Sequence, residues 1–469
     1  MNDLLRLSAS EQAGLIRARK VSSCELVQAH LDRIAKVNPG INAAVEVFAE
    51  NAVAEARTAD QTLARNGGAG GPLHGVPFSV KDSIEVAGSV CTAGTLGRAG
   101  APKSTADATL VARLRRAGAI PIAKTNLPDL LFAFESDNFI FGKTINPYDV
   151  TRTSGGSSGG EAALIAACGS PMGLGSDAAG SVRVPAAFCG IASIKPTSGR
   201  LPRTGHFPPR GGWIERLWQI GPMARHVEDL GVMMRLLVGS DESDPTVVSM
   251  PFADPARTDL SELRVAFYTD NGFAAADDEV AAVIQAAAAS LSGVVKCVRE
   301  DRPGVLACAY DLEMKLLGAD GGDALRHYLE HLGSTELHPL LTGWLEKLEP
   351  YRTNLAGLQG YWAELDRYQA EMFAFLRNYD AIVCPVYTQA ALPHGASLLD
   401  SNFQGFSHTM AYNVTGWPAA VVRCGESAAG LPIGVQIAAR PWREDVALAV
   451  AGWLEKAFGG WKAPDQRSL

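Results

Sequence analysis

Apolar positions in the first sixty residues recur at helical spacing. Ser22 and Ser23 precede Glu25 as at a helix start, and Leu26, Val27, His30, Leu31 and Ile34 then fall on one face. Pro39-Gly40 is expected to end that helix, and a second is expected over about 46–65, stopping at the glycine-rich NGGAGGP. The period then changes to two. Along LHGVPFSVKD (73–82), Val76, Phe78 and Val80 alternate as in a buried strand that ends at Lys81. A helix around 108–118 leads into AIPIAKTN, another apolar strand. Helix–strand alternation of this kind indicates α/β architecture with at least part of the sheet parallel.

From 151 to 196 the pattern gives way to glycine, serine and alanine, with two tight Gly/Ser stretches flanking the short apolar helix EAALIAAC. The stretch 247–379 reads as helical and richer in charge, and carries Trp344, Tyr351, Tyr361 and Trp362; a cap or insertion over the sheet is expected there. Strands return at AIVCPV, AAVVRCG and LPIGVQIA, and a helix over 447–458 closes the chain. The organisation expected is one domain over 1–469, with N-terminal helices (1–65), a catalytic core (66–240), the helical insertion (247–379) and a return to the core sheet (380–469). No internal repeat interrupts this order.

Composition narrows the classes. With 469 residues, 47% hydrophobic and 20% charged, the chain can bury a large core. A net charge of −8 with scattered basic residues argues against nucleic acid or an anionic membrane as the main partner. The densest basic cluster, Arg113, Arg115 and Arg116, reads as a solvated helix face. The eight cysteines are widely separated and contain no CxxC pair, so neither zinc spacing nor a disulfide framework is present. No signal-peptide core and no run of about 20 apolar residues occurs. A reduced, cytoplasmic setting without an integral membrane segment is expected.

Three features carry candidate chemistry. The first is SGGSSGGE (154–161), whose glycines let the backbone approach a ligand just before a helix start that favours negative charge. The second is GLGSDAAGSVRVP (173–185). Successive N–H groups of Ala178, Ala179, Gly180 and Ser181 make a nest suited to an oxyanion. The third is Lys81, a cation ending an apolar strand; burial there would lower its pKa and supply a neutral amine near pH 7. Each has a plainer reading: a linker, a helix cap at Ser181, a surface lysine.

Rival motifs fit less well. SGGSSGGE lacks the GK[ST] ending of a phosphate loop, and GLGSDAAG has the wrong glycine spacing for a dinucleotide fingerprint. GxSxG is satisfied at Ser157 and at Ser158, but a nucleophile elbow needs a strand directly before it and a later histidine. NPYDVTRT reads as a loop, and only His394 and His408 are placed to serve.

Taken together, the chain resembles the amidase signature family over nearly its full length. The resemblance rests on GVPFSVKD, AKTN, FGKTINPYDVTRTSGGSSGGEAALIA, GLGSDAAGSVRVPAAFCGIASIKPTSGRLP, QIGPMARHVEDL, the AYNVTGWPA segment and GLPIGVQIAARPWRED. It implies an α/β fold with a large mixed, twisted central sheet covered by helices on both sides. It implies Lys81 as general base, Ser157 as relay in a cis peptide with Gly156, and Ser181 as nucleophile. Ser158, Asp177 and Arg183 match family positions as supports of the site. No cofactor and no metal is implied. Ala179 departs from the family's commoner glycine, and a positive φ there would strain it by roughly 1–2 kcal/mol.

The expected substrate is a small-molecule amide with a hydrophobic or aryl acyl group, and a homodimer is an allowed state. TNLPDLLFAFESDNFIFGKT resembles the fatty-acid-amide branch, with Leu131, Phe132 and Phe134 as candidate acyl contacts. Trp213, Trp218, Trp344, Tyr361 and Trp362 are further candidates. The alternatives are a transamidation component that hydrolyses glutamine, a hydrolase of carbamoyl, urea-like or hydrazide substrates, and a silent binding protein that keeps the fold.

Overall fold

A computed structural model describes residues 3–65, 70–209, 211 and 213–465, with the side chains of Trp213 and Ile214 outside that description. Its strands are β1 (Ala44–Val47), β2 (Pro77–Lys81), β3 (Ile120–Thr125), β4 (Ile145–Asn146), β5 (Asp149–Thr153), β6 (Met172–Asp177), β7 (Ala192–Lys195), β8 (Gln219–Ala224), β9 (Arg264–Phe267), β10 (Cys297–Glu300), β11 (Ala381–Pro385), β12 (Ala419–Glu426) and β13 (Pro432–Ala439). Among the described residues, eleven of them form one sheet in the order β1-β3-β2-β6-β8-β7-β12-β13-β11-β9-β10, while β4 and β5 pair separately. The sheet is mixed. β2 runs parallel to β3 and β6, and β9 parallel to β10 and β11, whereas β6, β7, β8, β12 and β13 join through antiparallel pairs.

Strand alternation sends side chains to both faces of the sheet, where among the described residues they join three apolar clusters. Phe78 and Val80 join the first with Leu230, Ile284 and Leu448 of the helices Val227–Leu237, Asp278–Leu291 and Glu444–Phe458. On the other face, Ile34 and Leu164 of the helices Ser23–Ile41 and Gly159–Ala166 pack with Ile122 and Val182. Ser79 and Lys81 therefore face the second side, where that short glycine-led helix lies.

Local readings hold in part. Ser22 and Glu25 form the expected reciprocal cap of Ser23–Ile41. That helix nevertheless continues through Pro39, because a proline so near the end forgoes little, and Asn42 N–H closes the turn on Asn38 O at 2.8 Å. The second helix begins only at Ala49, since Ala44–Val47 is an edge strand against β3. NPYDVTRT forms the β4–β5 hairpin rather than a loop. The 247–379 stretch adds β9 and β10 to the sheet besides its helices. Arg113 and Arg115 are not free on their helix: Arg113 donates to Gly239 O at 2.9 Å, and Arg115 pairs with Glu55 at 2.7 Å and Asp107 at 2.9 Å.

The parallel pairing of β2 with β6 places the site. Ser79 lies opposite Gly173 and Val80 opposite Leu174, so Lys81 and Asp177 emerge at the same carboxyl edge. Loops after such edges are where open α/β sheets hold ligands.

Candidate active site

Lys81 is fully buried at the end of β2. Its Nζ lies 2.6 Å from Ser157 Oγ, 2.9 Å from Ser158 Oγ and 3.1 Å from Ser176 Oγ, all neutral oxygens. Burial pushes its ammonium well below the ordinary lysine range, opposed by the carboxyls of Asp177 and Glu161. The peptide between Gly156 and Ser157 is cis. Gly156 sits where a side chain has no room, since a Cβ would meet Glu135 N at 2.5 Å. Ser158 N–H donates to Ser181 O at 3.1 Å, which ties the two glycine-rich loops together.

Asp177 organises the second loop. Its carboxylate accepts from Gly180 N at 2.8 Å and Val182 N at 3.2 Å. It also accepts from Arg183 at 2.9 and 3.0 Å and from Asn413 Nδ2 at 2.9 Å. Burial would raise this carboxyl, but the Arg183 guanidinium and the Asn413 amide outweigh it and hold it well below the usual carboxylate range. Arg183 reaches on to Thr409 O and Gln436 Oε1, each at 2.8 Å, and to Asn413 Oδ1. A fully buried ion pair thus pins the loop to the helix Ser407–Val414 and to β13.

The amide nest is narrower than the sequence reading. Gly180 N–H is already engaged by Asp177. Among the described residues, the N–H groups of Ala178, Ala179 and Ser181 meet no intramolecular acceptor. Ala178, Ala179 and Ser181 line a chamber with Ser157 and Ser176, and Gly180 does not. The residue at positive φ is Gly180, at 128°, and not Ala179, so alanine at 179 is unstrained.

The rest of that chamber is apolar: Leu131, Phe132, Ala133, Phe134, Trp218, Leu317 and Trp344. Its free volume is about 30 Å³, and Phe132, Trp218 and Leu317 also wall an outer chamber of about 310 Å³ with Arg203, Glu215 and Asp320 on its rim. Leu131, Phe132, Phe134, Trp218 and Trp344 are thereby brought to the serines. Tyr361 and Trp362 are not: they pack with Leu316 and Leu365 in a separate cluster. Trp213 lies outside the described side chains. His408 Nε2 donates to Ala274 O, 2.9 Å away, and burial pushes it down to about 4; neither it nor His394 contacts Ser157 or Ser158. An elbow reading also lacks its strand, since the hairpin strand β5 before Ser157 is not part of the main sheet.

Sequence reading did not single out Ser176, Thr409, Asn413, Gln436 or Leu317. Asn413 and Gln436 stand inside segments that carried the family resemblance, and that was the available signal. Among the described residues, no group of three or more His, Cys, Asp or Glu is arranged to hold a metal ion, and no helix is long and apolar enough to cross a membrane.

A buried lysine within hydrogen-bond reach of three serine hydroxyls thus lies beside a loop pinned by a buried ion pair. A family model described as Amidase matches residues 25–448, and the chain belongs to this family. Fatty-acid amide hydrolase 2 of Homo sapiens is 32% identical over 492 residues, covering 98% of this chain and 91% of that protein. A glutamyl-tRNA(Gln) amidotransferase component of Salinispora arenicola is also 32% identical, over 99% of this chain and 100% of its own. The solved structure of 6-aminohexanoate cyclic dimer hydrolase complexed with substrate matches with a TM-score of 0.87 at 28% identity, covering 99% of this chain and 100% of that one. The mixed sheet between helical layers is the fold expected from the sequence.

Proposed function

We propose that the protein hydrolyses carboxylic acid amides through an acyl-enzyme on Ser181, with an apolar or aryl acyl group. The observation that carries this reading is Lys81: fully buried, in contact with neutral oxygens only, and 2.6 Å from Ser157 Oγ. Its amine form takes a proton from Ser157, which takes one from Ser181, and Ser181 Oγ attacks the carbonyl carbon. The carbonyl electron pair moves onto oxygen, where the N–H groups of Ala178, Ala179 and Ser181 receive it. Collapse breaks the C–N bond, and the proton returns by the same path to the departing amine. Water then adds to the acyl carbon, again giving its proton through Ser157 to Lys81; collapse breaks the bond between the acyl carbon and Ser181 Oγ, the proton returns through Ser157 to Ser181 Oγ, and the acid leaves.

The apolar chamber wall supports the acyl assignment. The relative named fatty-acid amide hydrolase 2 points the same way. The relative named for amidotransferase activity keeps glutamine as the competing substrate. Glutamine carries a zwitterionic head group, and among the described residues no charged side chain lines the inner chamber to pair with it.

The test joins labelling with turnover. A fluorophosphonate is expected to mark Ser181, and a panel of aryl, fatty and primary amides with glutamine included is expected to show hydrolysis of the apolar members. Ser181→Ala and Lys81→Ala should both remove turnover with melting unchanged. Hydrolysis confined to glutamine would replace the acyl assignment, and a chain that neither labels nor turns over any amide would refute the reading.

A further inference from the structure

Glu161 is a fully buried carboxyl in the first glycine-rich segment, and the mechanism above gives it no task. Its helix lies on the face of the sheet to which Ser79 and Lys81 point. Glu161 Oε1 accepts from Ser79 Oγ, and Oε2 accepts from Thr125 Oγ1 at 2.6 Å. Ser79 stands two residues before Lys81 on β2, and Thr125 is the β3 residue directly opposite Lys81. On β6, Gly173 leaves the space the carboxyl occupies: a Cβ there would meet Glu161 Oε1 at 1.8 Å. Three adjacent strands are thus shaped around one acid beneath the lysine.

The charges around Lys81 are few. Among the described residues, Asp177 and Glu161 are the ionisable groups that bear on it, and His206 feels its charge in turn. Asp177 is neutralised by Arg183 in a fully buried pair. His206 is held neutral by burial and by Arg203 and Lys81. Among the described residues, Glu161 has only hydroxyls for hydrogen-bond partners and no ion pair, and Lys81 is the cation whose charge bears on it. Unlike Asp177, it is therefore offset by no cation other than Lys81 itself.

We propose that Glu161 is a positioning residue that acts through Lys81: its buried carboxyl, held by Ser79 and Thr125, sets the fraction of Lys81 present as free amine. The proposal rests on the reading of Lys81 as base. Burial raises the Glu161 carboxyl to about 7, so it changes charge in the range where the base must be free. A carboxylate favours the neighbouring ammonium, and a neutral acid does not. The two groups then titrate as a pair, and the free amine develops over two coupled steps. With glutamine at 161, Lys81 faces a neutral neighbour at every pH. Its amine then forms in a single step at lower pH.

The test is the pH dependence of Ser181 labelling by a fluorophosphonate, which does not depend on knowing the amide. Wild type, Glu161→Gln, Thr125→Val and Lys81→Ala are compared, with melting recorded for each. The expected result is a Glu161→Gln limb about one pH unit lower, sharpened to one proton, with the plateau within about threefold of wild type. Thr125→Val removes a bond to the ionised carboxyl, and its limb should shift the same way by less. Unchanged limbs in folded Glu161→Gln, or in Thr125→Val should the first variant not fold, overturn the proposal and leave Glu161 a bridge between strands. A wild-type limb persisting in Lys81→Ala is a different failure: it removes the base reading itself.

Discussion

Arg183→Met tests how the second loop is held. Methionine keeps the apolar stem but removes a guanidinium that donates to Asp177 at 2.9 and 3.0 Å, to Thr409 O and Gln436 Oε1 at 2.8 Å, and to Asn413 Oδ1. Asp177 is left buried without its cation. Removing one partner of a buried pair costs about 3–5 kcal/mol. A chain of 469 residues unfolds with an entropy of about 2 cal/mol/K per residue, near 1 kcal/mol/K in all, so melting should fall by about 3–5 °C. The loss also has a pH signature. In the wild type the folded Asp177 carboxyl lies below its unfolded value of about 3.9; its contribution is complete above that value and fades as pH falls through the folded one. In the variant, burial is opposed only by the Asn413 amide, the Gly180 and Val182 N–H groups and Lys195, and without the guanidinium the folded value rises above the unfolded one. Stability then falls as pH rises from about 4 through that raised value, by about 1.4 kcal/mol per unit. Thermal unfolding of both proteins at pH 5 and pH 8, scanned at one rate, measures it. The deficit should be larger at pH 8. An equal deficit at both pH values, or wild-type melting at pH 8, would refute the reasoning.

Other substitutions follow from the same geometry. Gly180→Ala forces a Cβ to 2.4 Å from Thr409 Oγ1 at a φ of 128°; a strain of about 1–2 kcal/mol and a turnover loss of about tenfold or more are expected in steady-state assays. Ala179→Gly, at a position without positive φ, should keep kcat within about twofold, and a large gain there would show that Ala179 does constrain the loop. Trp344→Leu widens the wall it forms with Phe132 and Phe134, so kcat/KM for bulky aryl amides should rise about tenfold relative to acetamides, read from a paired substrate series. An unchanged ratio would remove Trp344 from the acyl wall.

Much of this was legible locally. The Ser22–Glu25 cap, the alternating strand before Lys81 and the two glycine-rich segments are short-range patterns, and each formed where its spacing placed it. Where local rules erred, a neighbour in space decided. Ala44–Val47 offers only a short alternation, Val45 and Val47 about Glu46, and the open edge of β3 supplies backbone partners that a helix there would forgo. Pro39 stands close enough to its helix end for the break to be tolerated.

The sequence by itself determined the family, several of the helices and strands, and the candidate reacting side chains, because those depend on residue type at fixed short spacing. Only the tertiary structure decided what surrounds them. The parallel pairing of β2 with β6 brings Lys81 to Ser157, Ser158 and Ser176 across separations of 76, 77 and 95 residues. Asn413 and Gln436 meet Arg183 across 230 and 253. Nothing in the spacing of such residues encodes their approach; the strand order does. The same holds for charge. Lys81 is an ordinary lysine in sequence, and becomes a candidate base because the fold removes its water and leaves it neutral oxygens, against the opposing pull of Asp177 and Glu161.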